Sequence, residues 1–369
     1  MQVFVIALLV LGFTLISANR YKKKCYKNFE VDVRFNEVRM VEEQEFYYEV
    51  ELKNKKFMIL PIIKITLRVP SSFDTANIKR HNRADAPYSY TLTTSLFWYQ
   101  KVKRRIKIVP HVRGFFDVET NITCMDVFGL VRMKYPETIK TRVMIHPKTI
   151  DIPYHAVSKS GLMGNDVVQR WINKDPLLYS GFREYNYTDS IKDIDWKLSA
   201  KSNQLLVKNY DATSDPSIVF MYLGYKDENY YAPKVEFTIS YLACLLKEMM
   251  VKKVPVAFTT NFVIKGKMKQ STGLECNQNH LIRVFDMLAC ISYATGLDPV
   301  TFLIRQLPIW GQHHMFAIAI RKVDEDVAVI LQNFARLGYQ IQLFVQEPVK
   351  FSLANIEVHQ LQSEVKDND

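Results

Sequence analysis

Between Phe29 and Pro147, apolar side chains return at every second position in one run after another. Phe29, Val31, Val33 and Phe35 alternate with Glu30, Asp32 and Arg34, and Phe46, Tyr48, Val50 and Leu52 repeat the pattern. Ile63, Ile65, Leu67 and Val69 do so again, with Lys64, Thr66 and Arg68 between them. Val102, Ile106 and Ile108 alternate with Lys103, Arg105 and Lys107, and Val143 and Ile145 close the series. Successive side chains of a strand point to opposite faces, so each run predicts a strand with one dry and one wet face. Such runs without a helical period predict an antiparallel β-sandwich-like domain over residues 20–147.

Local punctuation fits that reading. Arg113-Gly114-Phe115 sits between strands, where Gly admits backbone shapes that other residues resist. Asp126-Val127-Phe128-Gly129-Leu130 has the composition of a turn, with Asp first and Gly near the end. Ser71 to Pro87 reads as a polar loop without pattern. The lysine-rich run Lys101–Lys107 reads as a solvated outer strand face. Nucleic acid is not an expected partner, because the alternating residues are aliphatic and offer no stacking platform.

Beyond residue 212 the pattern changes. Ser217–Leu223 is a continuous apolar run, as expected of a strand buried on both faces. Pro233 opens a helical stripe through Ile239, Leu242, Leu246 and Met249, and Val254–Thr259 predicts a second strand. A helix over Asn277–Tyr293, a strand over Met315–Ile320, a helix over Asp324–Leu337 and a strand over Tyr339–Val345 follow. Strand–helix alternation predicts a mostly parallel α/β sheet over residues 213–369, making the whole chain an α+β multidomain protein.

The two halves are joined by residues 148–212, whose later part is dense in charges and rings. Arg183, Glu184, Asp189, Lys192, Asp193, Asp195, Lys197 and Lys201 fall among Phe182, Tyr185, Tyr187 and Trp196. Mixed signs at this density suit a network of charge-assisted hydrogen bonds, with Trp196 as a cover that excludes water. Ile191–Ala200 reads as a short helix capped by Asp189. The three aspartates also raise acid–base or metal chemistry, but Asp193 and Asp195 are two apart and do not share a helix face.

Val3–Ala18 is apolar except for Thr14 and Ser17, and Arg20, Lys22, Lys23, Lys24 and Lys27 follow it. A spanning helix needs about 20 apolar residues, with a lower range near 17. The basic flank would stay on the cytoplasmic side. Residues 1–19 are therefore expected to be a transmembrane helix of a single-pass cell-membrane protein, in contact with the lipid bilayer through residues 3–18 and with its body in the cytoplasm. The competing reading is a secretory signal peptide, which would want a basic n-region and a better cleavage site than Ile16-Ser17-Ala18. The odd cysteine count, 5, and the absence of a C-x-x-C pair disfavour a disulfide framework or a zinc site. A net charge of +11 favours anionic partners. No P-loop, dinucleotide fingerprint, nucleophile elbow or H-E-x-x-H occurs, and the adjacent His313 and His314 are poor joint ligands.

The central segment resembles the signature of the bacterial domain-of-unknown-function 58 (DUF58) family. The resemblance rests on Phe182-Arg183-Glu184-Tyr185, Asp189, Ile194-Asp195-Trp196-Lys197, Ala200-Lys201, Leu205, Val207 and Tyr210-Asp211. Upstream, Arg113-Gly114, Asp126 with Phe128-Gly129-Leu130, and His146-Pro147 are similar to further family elements. Thr188, Lys192, Lys201 and Val127 depart from the pattern, and a Lys does not reproduce the bidentate fork of an Arg. The resemblance implies a von Willebrand factor type A-like second domain. That fold often holds magnesium through D-x-S-x-S after its first strand. Here Gly224 and Lys226 stand at the first Asp and first Ser positions, with Asp227 and Glu228 beyond, so a degenerate site without metal is expected.

The resemblance further implies a non-enzymatic, membrane-anchored adaptor or scaffold that needs no cofactor. Its partners would be a MoxR-type AAA+ ATPase and other membrane-associated proteins, in assembly or maturation of complexes. The interaction residues would be Arg183, Glu184, Tyr185, Asp189, Lys192, Asp195, Trp196, Lys197 and Lys201. A carboxylate- or metal-dependent hydrolase centred on the same segment is the first alternative. A module binding envelope polymers or anionic lipid is the second.

Overall fold

The computed structural model describes residues 2–75, 86–149, 174–185, 194–202, 204–212, 217–226, 232–266 and 269–361. The chain divides into two compact units, Met1–Lys148 with Leu288–Cys290, and Thr149–Met287 with Ile291–Asp369. It is a mixed α+β structure, with antiparallel sandwich-like sheets early in the chain and a parallel sheet later.

The first unit begins with helix α1 (Gln2–Lys24). Ten strands follow: β1 (Phe29–Phe35), β2 (Arg39–Val41), β3 (Phe46–Asn54), β4 (Leu60–Val69), β5 (Phe73–Thr75), β6 (Tyr88–Leu96), β7 (Lys101–Pro110), β8 (Gly114–Met125), β9 (Arg132–Lys134) and β10 (Ile139–His146). Among the described residues they form one sheet in the order β1-β3-β7-β5 and another in the order β2-β10-β8-β4-β6, with β9 on β8. All pairs are antiparallel except the short β2–β10 pair. The alternation read from the sequence is the burial pattern found. Tyr48, Val50 and Leu52 from one sheet and Ile63, Ile65 and Leu67 from the other are fully buried in one core.

Period two then forces the intervening residues outward, where their charges pair across strands. Glu49 accepts hydrogen bonds from Lys103 at 2.7 Å and Arg105 at 2.9 Å. Glu51 binds Lys53 and Lys101, each at 3.0 Å, and Glu45 pairs with Lys107. The lysine-rich strand is thus an ion-paired outer face.

The loop expected over Ser71–Pro87 is corrected at its start. Phe73–Thr75 is strand β5, paired with Val109 and its neighbours, because Phe73 is fully buried against Phe46 and Phe116. Residues 76–85 lie outside the described set. The turn at Asp126 is as expected. Gly129 N donates to Asp126 O at 3.2 Å, Val131 N donates to Asp126 Oδ1 at 2.9 Å, and Gly129 takes a positive φ of 71°.

Helix α1 is fastened to this sandwich at its C-terminal end. Tyr21 and Cys25 belong to the buried core, and Tyr21 Oη donates to Met125 O at 2.9 Å. Among the described residues, no helix is long and apolar enough to cross a membrane.

After Lys148 come β11 (Lys174–Glu184), α2 (Trp196–Ser202), β12 (Leu206–Ala212), β13 (Ile218–Leu223), α3 (Ala232–Val251), β14 (Val256–Thr260) and β15 (Phe262–Ile264). Then follow α4 (Gln278–Cys290), β16 (Ile291–Thr295), α5 (Pro299–Trp310), β17 (Met315–Ile320), α6 (Glu325–Arg336), β18 (Gln340–Val345) and β19 (Glu357–Gln360). The parallel sheet runs β14-β13-β17-β18-β19, and every pair in it is parallel. Its central strands β13 and β17 are buried at every position, which is why they read as unbroken apolar runs. Phe302, Leu303 and Leu307 of α5 and Val327 and Leu331 of α6 pack on one face, against Val219, Met221, Phe316 and Leu343.

Two readings of this region need correction. The helix expected over Asn277–Tyr293 ends at Cys290, and Ile291–Thr295 pairs instead with β15. Asn277 is its N-cap, accepting from His280 N at 2.7 Å. Helix α5, absent from the sequence reading, starts at the Asp298 cap with Pro299 in its first turn and tolerates Pro308 near its end.

Two measurements test this account of the first unit. Phe73→Ala should cost about 3–5 kcal/mol in a denaturant titration, as expected of a buried aromatic, whereas a loop residue would cost almost nothing. Hydrogen bonds from Lys101 and then Lys53 lower the Glu51 carboxyl from 4.5 to about 2. Its contribution is therefore complete above pH 4.5 and fades as pH falls towards about 2. The melting-temperature gap between the chain and Glu51→Gln should narrow over that window, and a gap independent of pH would contradict the pairing.

Candidate functional site

The charged central segment folds as a strand, a short helix and a returning strand. β11 and β12 are antiparallel, with Phe182 opposite Lys208, Arg183 opposite Val207 and Glu184 opposite Leu206. Tyr185 N donates to Leu205 O at 2.9 Å, and Ile194 bridges to Val207. Because Asp195 N is held on Leu206 O at 3.0 Å, the backbone is still extended there and the helix starts only at Trp196.

That placement assigns Asp195 a definite task. Its Oδ1 accepts from Lys197 N at 3.1 Å and from Leu198 N at 3.0 Å, the first-turn N–H groups that a helix leaves without intrahelical partners. Ser199 Oγ completes the lock, donating to Asp195 O at 2.7 Å and accepting from Leu206 N at 2.9 Å.

The expected helix over Ile191–Ala200, capped by Asp189, is thus corrected to Trp196–Ser202, capped by Asp195. The expected Trp196 cover is also corrected. Trp196 is 61% exposed, its ring turned largely to solvent. Glu184, Lys197 and Lys201 are exposed and Tyr185 is half-buried. Asp189, Lys192 and Asp193 lie outside the described residues.

The second place of interest is the C-terminal edge of the parallel sheet. β13 has β14 on one side and β17 on the other, so the strand order reverses beside it, the position where open α/β sheets bind ligands. Gly224, Tyr225 and Lys226 leave β13 here. Asn261, 1% exposed, clamps the exit: its Nδ2 donates to Gly224 O at 2.6 Å and to Leu297 O at 2.8 Å, and its Oδ1 accepts from Gly224 N at 2.9 Å. Tyr225 Oη donates to Lys322 O and accepts from Asp324 N, each at 3.2 Å, while Lys322 Nζ stands 5.2 Å from the Tyr225 ring centroid.

The cavity left beside Tyr222, Lys234 and Arg321 is about 20 Å³, room for about one water. Arg321 is paired with Glu347 at 2.9 Å. Tyr225 and Asn261 escaped the sequence reading. The signal that could have found Asn261 is the polar trio Thr259-Thr260-Asn261 closing an apolar strand.

Asp227 and Glu228 lie outside the described residues. Among the described residues, no group of three His, Cys, Asp or Glu side chains could hold a metal ion. His314 Nδ1 bonds Ser217 Oγ at 2.6 Å while His313 is exposed, so the two rings do not converge. A further cavity of about 320 Å³ is lined by Lys269, Thr272, Glu275, His280 and Arg283. The Arg283–Glu275 pair at 2.6 Å is part of that lining, and His280 Nε2 donates to Val256 O at 2.8 Å. Burial pushes the His280 imidazole below its usual range, keeping it neutral.

No family model and no curated protein matches the chain. Among solved structures, it is similar to the CARDB domain of a Pyrococcus furiosus protein in complex with di-metal ions, at 15% identity and a TM-score of 0.23, over 32% of this chain and 91% of that one. It is also similar to a cohesin module from a Clostridium perfringens family 33 glycoside hydrolase, at 8% identity and a TM-score of 0.24, over 32% of this chain and 96% of that one.

The Asp195 assignment is directly testable. Asp195→Ala should remove about 1 kcal/mol of stability and speed hydrogen exchange across residues 196–202, while Asp195→Asn should retain most of both. Equal losses in the two variants would show that the negative charge matters and the cap does not.

Proposed function

We propose that the chain is a non-enzymatic adaptor, held at the cell membrane by α1 with its body in the cytoplasm. It works beside a MoxR-type AAA+ ATPase in the assembly or maturation of other proteins. On this reading α1 is the transmembrane helix, and residues 213–369 are a von Willebrand factor type A-like domain whose metal position has been replaced.

The observation that carries the anchor is the uncharged run Val3–Ala18 with Arg20, Lys22, Lys23 and Lys24 directly behind it. Helix α1 runs unbroken for 23 residues and ends in Lys22, Lys23 and Lys24. At 1.5 Å per residue the apolar run Val3–Ala18 is about 24 Å long, and on this reading Arg20 and Lys22 reach up to the interface of a hydrocarbon core of about 30 Å. Phe4, Leu8, Leu9, Phe13, Leu15 and Ile16 are each at least 60% exposed along α1, an arrangement suited to lipid.

The absence of bond-breaking chemistry in this proposal is supported by the way the polar groups are used. Asp195 Oδ1 accepts from two backbone N–H groups, and Tyr225 is held by the backbone of Lys322 and Asp324, whose side chains pair at 3.6 Å. A cation at position 226, where the metal-binding pattern has its first Ser, disfavours a divalent metal by direct repulsion. The ATPase partner rests on the resemblance of the central segment.

Crosslinking in intact cells, followed by purification of the tagged full chain from carbonate-washed membranes, should recover an AAA+ ATPase. Recovery of the chain without any ATPase would overturn the adaptor reading.

A further inference from the structure

The sandwich end that receives α1 differs from the rest of the first unit. Strand registers place four connections together there. Phe29 is opposite Asn54, Lys53 opposite Lys101, Leu60 opposite Leu96 and Ile62 opposite Met125. The α1–β1 junction and the β3–β4, β6–β7 and β8–β9 turns therefore share one end. Asn54 Nδ2 ties two of them, donating to Met58 O at 2.7 Å and Phe97 O at 2.8 Å.

Turn tips are ordinarily polar, yet these expose large apolar side chains. Phe57, Trp98, Tyr99, Val127, Phe128 and Leu130 are between 49% and 78% exposed. Phe57 and Trp98 stack on each other with centroids 5.3 Å apart. Exposed apolar groups gathered at one place mark an interaction surface.

Beside them, at the foot of α1, lies a cavity of about 630 Å³. Phe13, Ile16, Phe57 and Met58 line it on the apolar side, and Arg20, Lys24, Lys27 and Lys56 supply cations. Among the described residues, no carboxylate lines it. This contrasts with β7 on the same unit, where Lys101, Lys103, Arg105 and Lys107 each meet a Glu of β3 or the residue before it. Lys56 Nζ is turned to Lys27 O at 3.0 Å and to Cys25 O, and sits 5.6 Å from the Phe29 ring centroid. Burial pushes its ammonium below the usual range, as happens when a cation lacks a counter-charge.

We infer that this end of the sandwich is a bilayer-docking face, and that the cavity at the foot of α1 takes the headgroup phosphate of an anionic phospholipid. The inference rests on the membrane-anchor reading and deepens it. A helix that leaves the bilayer at this end brings the apolar tips to the headgroup layer, where Trp and Tyr are favoured. Arg20, Lys24 and Lys27 face the anionic surface, and Phe13 and Ile16 run beside the acyl chain. The sandwich then lies on the membrane in a fixed orientation rather than swinging from a tether.

The test uses the full chain in phosphatidylcholine vesicles with and without phosphatidylglycerol, the lipids brominated near the headgroup. Trp98 emission is read as the difference between the chain and Trp98→Phe. It should be quenched, and more strongly with phosphatidylglycerol. In native mass spectrometry from detergent, the chain offered both lipids should retain phosphatidylglycerol preferentially. A triple Arg20→Gln, Lys24→Gln, Lys27→Gln variant should lose that preference by roughly tenfold with an unchanged melting temperature.

Lys56 is spared because it also bonds the backbone. Unquenched Trp98 or equal retention of the two lipids overturns the inference, as would burial of Trp98 in a dimer or against a protein partner. Carbonate washing separates the two readings. A chain retained by the wash with Trp98 unquenched keeps the anchor and loses the docking face. A chain released by the wash, yet quenched by phosphatidylglycerol vesicles before it, keeps the docking face and loses the anchor.

Discussion

The burial of alternate side chains between the two sheets of the first unit governs most of what surrounds it. Tyr48, Val50 and Leu52 are fixed inward by contact with Ile63, Ile65 and Leu67. Period two leaves Glu49 and Glu51 no other direction than outward. Carboxylates in a row on one strand attract a complementary row on the next, and Lys101, Lys103 and Arg105 of β7 provide it. Core and outer charge lattice are therefore one pattern seen from its two sides.

The same core anchors α1. Tyr21 and Cys25 enter it, so the last turns of the helix are part of the sandwich and the direction of α1 is tied to that of the sheets. This converts a sequence-local feature, an apolar run followed by lysines, into an oriented one. The cations at the helix foot stand apart from the neutralised cations of β7 because, among the described residues, no carboxylate lines their cavity. Charge count alone, +11 over the chain, does not separate these two populations.

In the parallel sheet the decisive contacts are made after the strands end. Asn261 holds the exit of β13 with two hydrogen bonds to Gly224 and ties it to Leu297 with a third, and Tyr225 reaches across to the segment following β17. Among the described residues of this edge, Arg321 is paired with Glu347 and Lys322 with Asp324. In the central segment two residues have a role that charge density does not convey. Asp195 satisfies backbone donors, and Trp196 is turned to solvent.

By itself the sequence determined the strand runs of the first unit, the buried strands β13 and β17, the helices α3 and α6 and the turn at Asp126. Each is encoded by neighbours in the chain, through a two- or 3.6-residue period or a turn residue's own conformation. Tertiary structure decided the rest. β8 was hidden because its inward row includes Thr120, which is tolerated at 0% exposure only because the Tyr48 hydroxyl bonds it from the other sheet. β5 was too short to show a period, and Pro308 obscured α5. Ile291 left its helical pattern for a partner strand at Ile264. Gly224 and Lys226 were legible as a departure from a metal-binding pattern, but the Tyr225 and Asn261 contacts were not, since they join positions 97 and 37 residues apart. A period records what a residue's neighbours require, whereas a hydrogen bond across the fold depends on a partner that only the folded chain brings within reach.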